Sequence, residues 1–382
     1  MFSIEKKSKF SAARSGVLAT NHGLIKTPFF MPDATRGVIK NITTAEWQEL
    51  SLPASVVNTF HLSLTPGLSL IKKAGGLHQF INWSRPLLAD SGGYQVFSLI
   101  HKNKNMGKIC ANEVIFKSPL DGREQILTPE KSIQIQFDLG VDMMVVLDNC
   151  PPHDYDKKNI TAAAMQTIAW AKKCRLEFDH QLKKRKISGK NRPLLFGVVQ
   201  GGTSLRLRKL CADELIKIGF DGLGYGARPV DNQGRFLQKV MAVTAQSIPQ
   251  DYLRFALGVG RPEDIVKAVK MGWDMFDCVI PTREGRHGRI YQIRNSKFEI
   301  RNLKNNNFYN IININNAAFA KKMEPINKFS KLPILRQYSF AYLHHLFKIN
   351  DPLGARLATL NNLEFYLDLM TKIRLAINNN QF

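Results

Sequence analysis

The chain is poor in cysteine and has no long apolar run. Its five cysteines are scattered through 382 residues without a CxxC spacing, which indicates neither a disulfide framework nor a cysteine-rich zinc site. No segment reaches the ~20 consecutive apolar residues that a membrane span needs, and residues 1–7 lack the apolar core of a secretion signal. These absences predict a soluble, cytoplasmic protein with reduced thiols and no membrane partner.

Acidic residues are also scarce. The chain carries 31 Asp and Glu against 54 Lys and Arg, a formal net charge of +23. An excess of this size favours a polyanionic partner, and nucleic acid is the first candidate. Part of the excess has a compositional explanation, because lysine, asparagine and isoleucine are abundant and cluster in the Asn-rich stretch 305–316. We therefore expect part of the positive charge to serve binding of a polyanion and part to reflect the lysine-rich composition.

Short apolar runs alternate with longer amphipathic stretches, a pattern typical of βα units around a parallel sheet. The predicted strands are 54–58, 86–89, 142–147, 193–199, 220–223, 254–257 and 275–280. An intervening helix is predicted over 203–218, with Leu207, Leu210, Cys211, Leu215 and Ile218 on one face.

Polar groups and glycines follow many of these strands. In a (β/α)8 barrel all such strand ends open on one face, where active sites lie. The sequence therefore predicts an α/β fold, a (β/α)8 TIM barrel with insertions and a small C-terminal subdomain. A doubly wound open sheet is the alternative, but it concentrates its site at one switch point.

The segments outside this repeat are predicted separately. Residues 16–32 are expected to form a hairpin under the barrel, and 100–127 an insertion with a turn at Asp121-Gly122. Helices are expected at 337–349 and 363–377. We predict a single domain over 1–382, with 288–340 as an inserted subdomain.

Three aspartates, Asp90, Asp148 and Asp277, stand at predicted strand ends. A pair of carboxylates on either side of a glycosidic bond supports retaining displacement, because one attacks while the other protonates the leaving group. A single aspartate at such a position is often only a helix N-cap, but three on one face favour a reaction site. Nearby glycines would let backbone N–H groups approach a flat heterocycle, and Gln200 can hydrogen-bond through both amide atoms.

Four blocks carry a resemblance to a known family: residues 90–98, which begin Asp90-Ser91-Gly92-Gly93, and residues 197–202, 258–264 and 275–283. They resemble the signature blocks of bacterial tRNA-guanine transglycosylases, the queuine tRNA-ribosyltransferase family, and the likeness runs from about residue 10 to 377. The resemblance implies a barrel-fold pentosyltransferase without a cofactor. It would exchange guanine at the wobble position of GUN-anticodon tRNAs for a 7-deazaguanine base, and it would commonly be a homodimer.

The resemblance also implies residue roles. Asp277 would attack the ribose anomeric carbon, and Asp90 would act as the acid and base. Residues implied to bind the base are Ser91, Gly92, Gly93, Tyr94, Asp148, Gln200, Gly226, Ala227 and Leu257. Residues implied to hold the anticodon loop are Gly258, Val259, Gly260, Arg261, Pro262, Glu263, Asp264, Thr282, Arg283, Glu284, Gly285, Arg286 and Arg289.

The chain departs from the family pattern where other members bind structural zinc through CxCxxC and a later histidine. Aligned on Tyr338-Ser339, those positions hold Ser330, Leu332, Leu335 and Asn361. We therefore predict no metal, with an apolar plug of Leu332, Ile334 and Leu335 in its place. The adjacent His344 and His345 project about 100° apart on a helix, so one is expected to be packed and the other exposed.

The predicted base pocket departs as well. Where the family has GGLAVG and then glutamate, this chain has Arg228, Pro229, Val230, Asp231 and Asn232 after Ala227. Since Val230 would crowd the bulky queuine side chain, 7-aminomethyl-7-deazaguanine is the predicted base, with queuine second and Asp231 expected to supply the negative charge. Two other functions stay open: a non-catalytic RNA-binding partner subunit, and a paralogue that inserts a deazaguanine into DNA or another RNA.

Overall fold

The structure, a computed structural model, describes residues 2–152, 155–293 and 308–382. Eight short strands run parallel at its centre, and most of their residues are buried because both faces of the sheet are covered. These strands are β4 Phe29–Pro32, β5 Ser55–Asn58, β6 Leu87–Asp90, β10 Met143–Val145, β11 Leu194–Val199, β12 Gly222–Tyr225, β13 Leu253–Ala256 and β14 Met275–Cys278.

The sheet closes into a barrel. Its strand order is β4-β14-β13-β12-β11-β10-β6-β5, and the two edge strands meet through a parallel bridge between Asp33 and Val56. There the Ala34 N–H donates to the Val56 carbonyl at 2.7 Å. The predicted (β/α)8 barrel is confirmed, and the open-sheet alternative is wrong.

Helices surround this barrel and follow its strands. They are α1 Thr44–Glu49, α2 Thr59–Leu62, α3 Leu68–Lys73, α4 Leu77–Ile81, α5 Gly93–Lys102, α6 Pro129–Leu139, α7 Lys157–Lys184, α8 Leu205–Ile218, α9 Gln238–Gln246, α10 Pro262–Lys270, α11 Ile280–Arg286, α12 Pro333–Gln337, α13 Phe340–Lys348 and α14 Pro352–Asn378. Helix α14 packs on α10, α11 and β4, so it covers the barrel beside the seam between β14 and β4. It begins eleven residues before the predicted start at 363, because Asp351 caps it and Pro352 opens it.

Three pieces of extra sheet lie outside the barrel. Strands β1 Phe2–Lys7, β2 Arg14–Thr20 and β3 Gly23–Thr27 form an antiparallel sheet, and so do β7 Gly107–Ile109, β8 Val114–Lys117 and β9 Glu124–Leu127 of the predicted insertion. Strands β15 Arg289–Ile293 and β16 Tyr309–Asn313 pair as a third antiparallel unit. The predicted domain division stays a prediction, and residues 294–307 of its 288–340 range lie outside the described residues.

The predicted hairpin at 16–32 is correct for β2 and β3 but wrong for its last residues. Phe29–Pro32 pairs with β14 as the first barrel strand and not with the hairpin. The apolar run Phe29-Phe30-Met31 is fully buried, which explains why it belongs to the barrel interior. This error hid the eighth strand and the residue that follows it, Asp33.

A second sequence expectation was partly wrong. Helix α8 buries Cys211 and Leu215, as predicted, but Leu210 is 40% exposed while Arg208 is fully buried. The guanidinium of Arg208 donates to the carbonyls of Gly202, Val199 and Gly226 at 2.9, 2.6 and 3.0 Å. These bonds satisfy the buried cation and hold the ends of β11 and β12 together.

The end of the barrel where the strands begin is closed by paired acids. Asp142, just before β10, accepts from the Leu87 N–H at 2.9 Å and faces His22 Nδ1 at 2.8 Å. His78 lies 3.3 Å from the same carboxylate. The hairpin that carries His22 is thereby fixed to the barrel.

All five cysteines are free, in agreement with the absence of a disulfide framework. Across the described ranges, no helix combines the length and apolar character required to cross a membrane.

Candidate active site

A cavity of about 650 Å³ opens at the carboxyl ends of the barrel strands. Every strand of the barrel contributes to its wall or to the loop just beyond it, through Asp33, Val56, Asp90, Val145, Val198, Tyr225, Phe255 and Asp277 among others. The three aspartates predicted at strand ends, Asp90, Asp148 and Asp277, all line this cavity. Their convergence follows from barrel closure, because parallel strands place all their carboxyl ends on one face.

Asp277 lies in β14, and its Oδ1 accepts a hydrogen bond from the Gly258 N–H at 2.9 Å. Burial raises the pKa of this carboxyl to about 7, and the charges of Asp90 and Asp33 add to the effect, while the Gly258 bond opposes it. The Gly258 N–H fixes one carboxylate oxygen, so the other is available to a substrate atom in the cavity.

Asp90 ends β6, and its Oδ2 accepts from Asn58 Nδ2 at 3.1 Å. Burial raises its pKa to about 6, whereas hydrogen bonds from Ser91, Asn58 and Gln95 work in the opposite direction. A carboxyl whose pKa lies close to neutral pH can both give and take a proton at physiological pH. The same feature makes Asp90 suitable as an acid and base.

Asp148 lies beyond β10 and is paired with Gln200, whose Nε2 donates to its Oδ2 at 2.7 Å. Burial raises the pKa of Asp148 to about 7, and the Gln200 bond lowers it only in part. Among the described residues, the buried Oε1 atom of Gln200 has no hydrogen-bond partner. Gln200 is fully buried and does not line the cavity, so its contact with the site is through Asp148.

The loop after β6 supports the site without lining it. Ser91 is fully buried, and its Oγ accepts from the Gly93 N–H at 3.3 Å. A Cβ atom on Gly92 would lie 2.8 Å from the Phe60 Cβ, and one on Gly93 would lie 2.9 Å from the Leu147 Cδ1. Ser91, Gly92 and Gly93 therefore permit close packing of the strand ends, in contrast to the expected contact with a flat ligand.

Of the other base-binding candidates, Tyr94, Gly226, Ala227 and Leu257 line the cavity. Tyr94 is 52% exposed, so its ring is available to stack on a base. The Gly226 N–H is already donated to Val199 at 2.9 Å, which removes it as a donor to a ligand. Gly226 is needed here for another reason, since an added Cβ would lie 2.5 Å from the Gln200 Nε2.

The residues predicted to hold RNA divide into two groups. Those that line the cavity are Gly258, Val259, Gly260, Arg261, Asp264 and Arg283. Those that do not line it are Pro262, Glu263, Thr282, Glu284, Gly285, Arg286 and Arg289.

Several members of the second group have other partners. The side chain of Thr282 is buried and donates to Val279 at 3.1 Å. Glu263 accepts from the Tyr309 hydroxyl at 2.6 Å, and Glu284 accepts from Arg289 at 3.1 Å. A Cβ on Gly285 would lie 3.0 Å from the backbone of α14. These contacts make Thr282, Glu263 and Gly285 part of the support of the site.

Sequence reasoning missed Asp33, which follows β4 and lines the cavity with the other three aspartates. Its charge raises the pKa of both Asp90 and Asp277. The signal was readable, because Phe29-Phe30-Met31-Pro32 is an apolar run that ends at an acid, as the other strands do. Assigning that run to the hairpin concealed it.

The family model described as queuine tRNA-ribosyltransferase matches residues 8–382. The chain belongs to the queuine tRNA-ribosyltransferase family. It is similar to the queuine tRNA-ribosyltransferase of Thermoanaerobacter pseudethanolicus, with 39% identity over 372 residues that cover 97% of this chain and 92% of the relative. Corresponding values for the Buchnera aphidicola subsp. Acyrthosiphon pisum protein are 40% over 370 residues, 97% and 93%.

Membership of the queuine tRNA-ribosyltransferase family confirms the resemblance seen in the sequence blocks and the prediction of a pentosyltransferase. A further relative of the same description, from Halothermothrix orenii, is 38% identical over 365 residues and covers 96% of this chain and 90% of its own length. The match therefore extends across the barrel, its insertions and α14.

The structural zinc site expected in this family does not fit the residues present. Ser330, Leu332, Leu335 and Asn361 are all buried, and they offer one hydroxyl and one amide where zinc needs thiolates and imidazole. The nearby histidines also behave as expected: His344 is packed and bonded to the Ile314 carbonyl at 2.7 Å, while His345 is exposed.

In the part of the chain that the structure describes, one other group has metal-ligand chemistry: His22, His78 and Asp142 bring their ligand atoms within 4.8 Å of one another. The two imidazole rings are stacked at 3.7 Å with planes only 12° apart. An ion bound by both nitrogens would have to lie close to both ring planes, which these parallel rings do not permit. The group is a hydrogen-bonded lock between the hairpin and the barrel.

The rim of the cavity in this queuine tRNA-ribosyltransferase homologue includes Arg228, Pro229 and Val230. Asp231 does not line it, because its carboxylate accepts from the Arg235 Nε at 2.7 Å and from the Gln233 and Arg235 N–H groups at 2.9 Å. The expectation that Asp231 supplies a charge to the base is therefore wrong. Val230 does line the cavity, as it must if its side chain is to crowd the bulky side chain of queuine.

Proposed function

We propose that this chain exchanges a guanine in tRNA for a 7-deazaguanine base by double displacement, with Asp277 as nucleophile and Asp90 as acid and base. The observation that carries this proposal is the placement of both carboxyls in one cavity, each with a raised pKa and, among the described residues, neither in an ion pair. Family membership supports the reaction class, since the relatives are described as queuine tRNA-ribosyltransferases.

The first displacement uses the two carboxyls in opposite protonation states. The Asp277 carboxylate attacks the ribose anomeric carbon as the glycosidic bond to guanine breaks, and protonated Asp90 gives its proton to the departing base. Because the charge of Asp90 raises the pKa of Asp277, the pair favours one ionised and one protonated member near neutral pH.

The second displacement reverses these roles. Asp90, now ionised, removes a proton from the incoming base, whose nitrogen attacks the anomeric carbon and breaks the bond to Asp277. Two inversions give retention at the sugar. Asp148, which lines the cavity, would read the base edge, and Gln200, which is fully buried and does not line the cavity, would orient the Asp148 carboxylate.

Exchange of radiolabelled guanine into tRNA, with duplex DNA of matching sequence as the competitor, tests this function directly. Incorporation into tRNA alone is expected. Incorporation into DNA would favour a DNA-modifying paralogue, and binding of tRNA without exchange would favour a non-catalytic partner subunit.

The wobble guanine of GUN anticodons is the proposed exchange position, and 7-aminomethyl-7-deazaguanine is the proposed base. Support for the smaller base is the position of Val230 in the cavity wall. Competition of each base with labelled guanine measures the preference, and a clear preference for queuine would contradict this reading of Val230. No carboxylate from Asp231 is available to favour a cationic base.

The anticodon loop is proposed to lie across the rim formed by Arg261 and Arg283, both of which line the cavity. Arg286 does not line the cavity and is half-buried. RNA binding should weaken with salt at a log–log slope of about −0.7 per phosphate contact. Arg286→Ala should flatten that slope by about one contact, and an unchanged slope would place Arg286 outside the RNA footprint. A cytoplasmic location and a homodimer remain proposals.

A further inference from the structure

Asp33 is a carboxylate at the reaction centre that the proposed mechanism does not use. It lies at the seam where the barrel closes, and its backbone forms the bridge to Val56 that joins β4 to β5. Its Oδ1 accepts from the Thr35 hydroxyl at 2.5 Å and from the Thr35 N–H at 3.1 Å. One oxygen is thereby fixed, and both Asp33 and Thr35 line the cavity.

Strand register places Asp33 next to the proposed nucleophile. Asp277 pairs with Met31 across the parallel β14 and β4 strands, and Asp33 follows Met31 by two residues, so the two acids project from the same face of the sheet. Two residues advance the strand by about 6.6 Å and adjacent strands lie about 4.8 Å apart. These spacings separate the backbone positions of Asp33 and Asp277 and leave room between their side chains for a small polar group, on the scale of a sugar.

The chemistry of that gap favours a hydroxyl donor. A ribose whose anomeric carbon is bonded to Asp277 carries its 2′-hydroxyl on the adjacent carbon, so this hydroxyl lies within reach of a group on the neighbouring strand. A carboxylate oxygen is an acceptor without a proton to donate, and acceptors of this kind bind ribose hydroxyls in other folds. The 2′-hydroxyl is also the group that distinguishes RNA from DNA.

We propose that Asp33 accepts a hydrogen bond from the 2′-hydroxyl of the nucleotide whose base is exchanged, and that it thereby selects RNA over DNA at that position. Thr35 orients the carboxylate through its two bonds to Oδ1. The inference rests on the proposed function, because it places the transferred ribose against Asp277. It adds a specificity-determining residue that the sequence blocks did not indicate.

The test compares two tRNAs that differ by one atom, one with guanosine and one with 2′-deoxyguanosine at the exchange position. Wild-type protein should lose about 10- to 100-fold in kcat/KM on the deoxy substrate, the range expected for a hydrogen bond to a charged group. Asp33→Ala should lose a similar factor on the ribose substrate and little more on the deoxy substrate. A tRNA with 2′-deoxy sugar one nucleotide away is the matched control and should react normally with both proteins.

Two outcomes would overturn the proposal. One is an Asp33→Ala protein whose ribose-to-deoxyribose ratio equals that of the wild type, which would leave only an effect of charge on Asp90 and Asp277. The other is an Asp33→Ala protein with normal rates on both substrates. Asp33→Asn decides the question if the alanine variant fails to fold. Asparagine keeps the shape and one acceptor, which the two Thr35 donors occupy, so a wild-type ribose-to-deoxyribose ratio in this variant would overturn the proposal. Absence of exchange by wild-type protein on the ribose substrate would instead refute the proposed function.

A buried carboxylate holds the loop before α12, in the segment that structural zinc would anchor in other family members. Glu364, on α14, is only 4% exposed. Its carboxylate accepts from the Ser330 hydroxyl at 2.5 Å, from the Lys331 N–H at 2.6 Å and, at 3.5 Å, from Asn327. Ser330 in turn accepts from the Leu332 N–H at 3.0 Å. A single carboxylate thus binds the backbone and side chains of the loop before α12.

The position of Glu364 explains why it can replace a metal. It follows Asn361 by one helical turn, and Ser330 and Asn361 occupy two of the expected zinc-ligand positions. Leu332 and Leu335 are buried beside them at 3% and 0% exposure, while Ile334 of the expected plug is only half-buried. The predicted apolar plug is therefore two leucines, and a buried carboxylate supplies directional bonds that leucines cannot.

We infer that Glu364 anchors residues 327–332 to α14 in place of the family's structural zinc. The anchor needs no metal and no thiol, so neither chelation nor thiol oxidation should release it. This inference is independent of the proposed function, since it concerns how one loop is held.

Limited trypsin digestion measures the anchor, because Lys328, Lys331 and Arg336 are exposed on the segment. Glu364→Ala should speed cleavage there about tenfold or more and lower the melting temperature by about 3–6 °C. Asp368→Ala is the matched control, because Asp368 lies one turn further along α14 and pairs with Lys331 at the surface, 3.1 Å away. This control should digest and melt almost as the wild type does.

Double substitution sharpens the result. Glu364→Ala and Ser330→Ala should be strongly non-additive, since each removes the same bond. Cleavage by Glu364→Ala at the rate of Asp368→Ala would overturn the anchor. So would about one zinc per wild-type chain whose removal by a chelator speeds cleavage at these sites. If Glu364→Ala does not fold, hydrogen exchange of the Lys331 and Leu332 amides in wild-type protein decides, and fast exchange would refute the anchor.

Discussion

Aspartates stand at both ends of the barrel strands, and their surroundings differ sharply. At the end where strands begin, Asp142, Asp221 and Asp274 each directly precede a strand and each meet a basic group. Asp274 binds Arg14 at 2.6 Å, Asp221 binds Arg192 at 2.5 Å and Asp142 meets His22 at 2.8 Å. At the cavity end, Asp90, Asp148 and Asp277 form no ion pair among the described residues and receive only neutral donors.

The pKa values follow these surroundings. Burial alone would raise the pKa of Asp142, but hydrogen bonds from His22, His78 and the Leu87 N–H outweigh burial and lower it. Burial raises the pKa of Asp90 to about 6 and those of Asp148 and Asp277 to about 7. The fold can therefore pair a buried acid with a basic group at one end of the barrel. At the other end, among the described residues, no basic group is paired with the three cavity aspartates, as a site for proton transfer requires.

The largest effect is expected at Asp277. Asp277→Asn should abolish the covalent protein–tRNA adduct and lower exchange about 10⁴-fold or more, because an amide cannot replace the attacking carboxylate. Denaturing gels after incubation with tRNA measure the adduct. An undiminished adduct in this variant would move the nucleophile to another residue, and Asp33 and Asp148 would then be tested in the same way.

The next largest effect is expected at Asp90. Asp90→Asn should lower turnover about 10²- to 10⁴-fold, the usual contribution of a positioned acid and base. Asparagine keeps an acceptor for the Asn58 amide, so loss of proton transfer is separated from loss of packing. Single-turnover exchange of labelled guanine measures the effect, and a near-normal rate would remove Asp90 from the mechanism.

At the opposite end of the barrel the corresponding effect is on stability. Asp274→Ala should cost about 3–5 kcal/mol of unfolding free energy, because it leaves the buried Arg14 without its partner and removes the acceptor for the Arg254 N–H. Urea unfolding measures the loss. Asp251→Ala, at an exposed acid near the start of β13, is the control and should change the free energy by less than about 0.5 kcal/mol. A loss below 1 kcal/mol at Asp274 would contradict the division between the two ends.

Sequence alone could predict much of this arrangement. Buried parallel strands are continuous apolar runs, so seven of the eight strands were placed within about two residues, and the acids at their carboxyl ends followed. The missing strand, Phe29–Pro32, was assigned to the hairpin because Thr27-Pro28 joins the two without a gap. That single error concealed Asp33.

Other features could not be predicted because they depend on contacts between distant segments. Spacing does not show that Ser91 and the Gln200 Nε2 atom face protein instead of ligand, or that Asp231 is bound to Arg235. The alignment of the zinc positions stays a prediction, and the anchor inferred at Glu364 lies on a helix that sequence periodicity placed too late. Only the fold brings Glu364 to Ser330.

A smaller effect is expected for Asp148. In the unfolded chain this acid ionises near its ordinary pKa of 3.8, whereas burial raises the folded value to about 7. The unfolded state therefore binds fewer protons between these values, and this group makes stability fall as pH rises from about 4 to 7. Asp148→Asn cannot ionise and should gain up to about 2 kcal/mol relative to wild type above pH 7, with no gain near pH 4. Unfolding curves that show equal differences at both pH values would contradict this assignment.

The smallest effect is expected at His22. Its partner, Asp142, lies at the end of the barrel where the strands begin, whereas Asp148 lies at the cavity end. The hydrogen bond to Asp142 raises the pKa of His22 above 6.5, although burial opposes it. A raised histidine pKa gives stability that is fully present below pH 6.5 and is lost as pH rises through the folded value. Because the ring is 35% exposed, solvent screening limits the effect to a few tenths of a kcal/mol.

His22→Asn should flatten the pH dependence of urea unfolding between about pH 6 and 8, whereas His345→Asn, at an exposed position on α13, should leave it unchanged. Equal slopes for wild type and His22→Asn would show that the hairpin is held by the backbone N–H of residue 22, which donates to Asp142, and not by the charge of the imidazole.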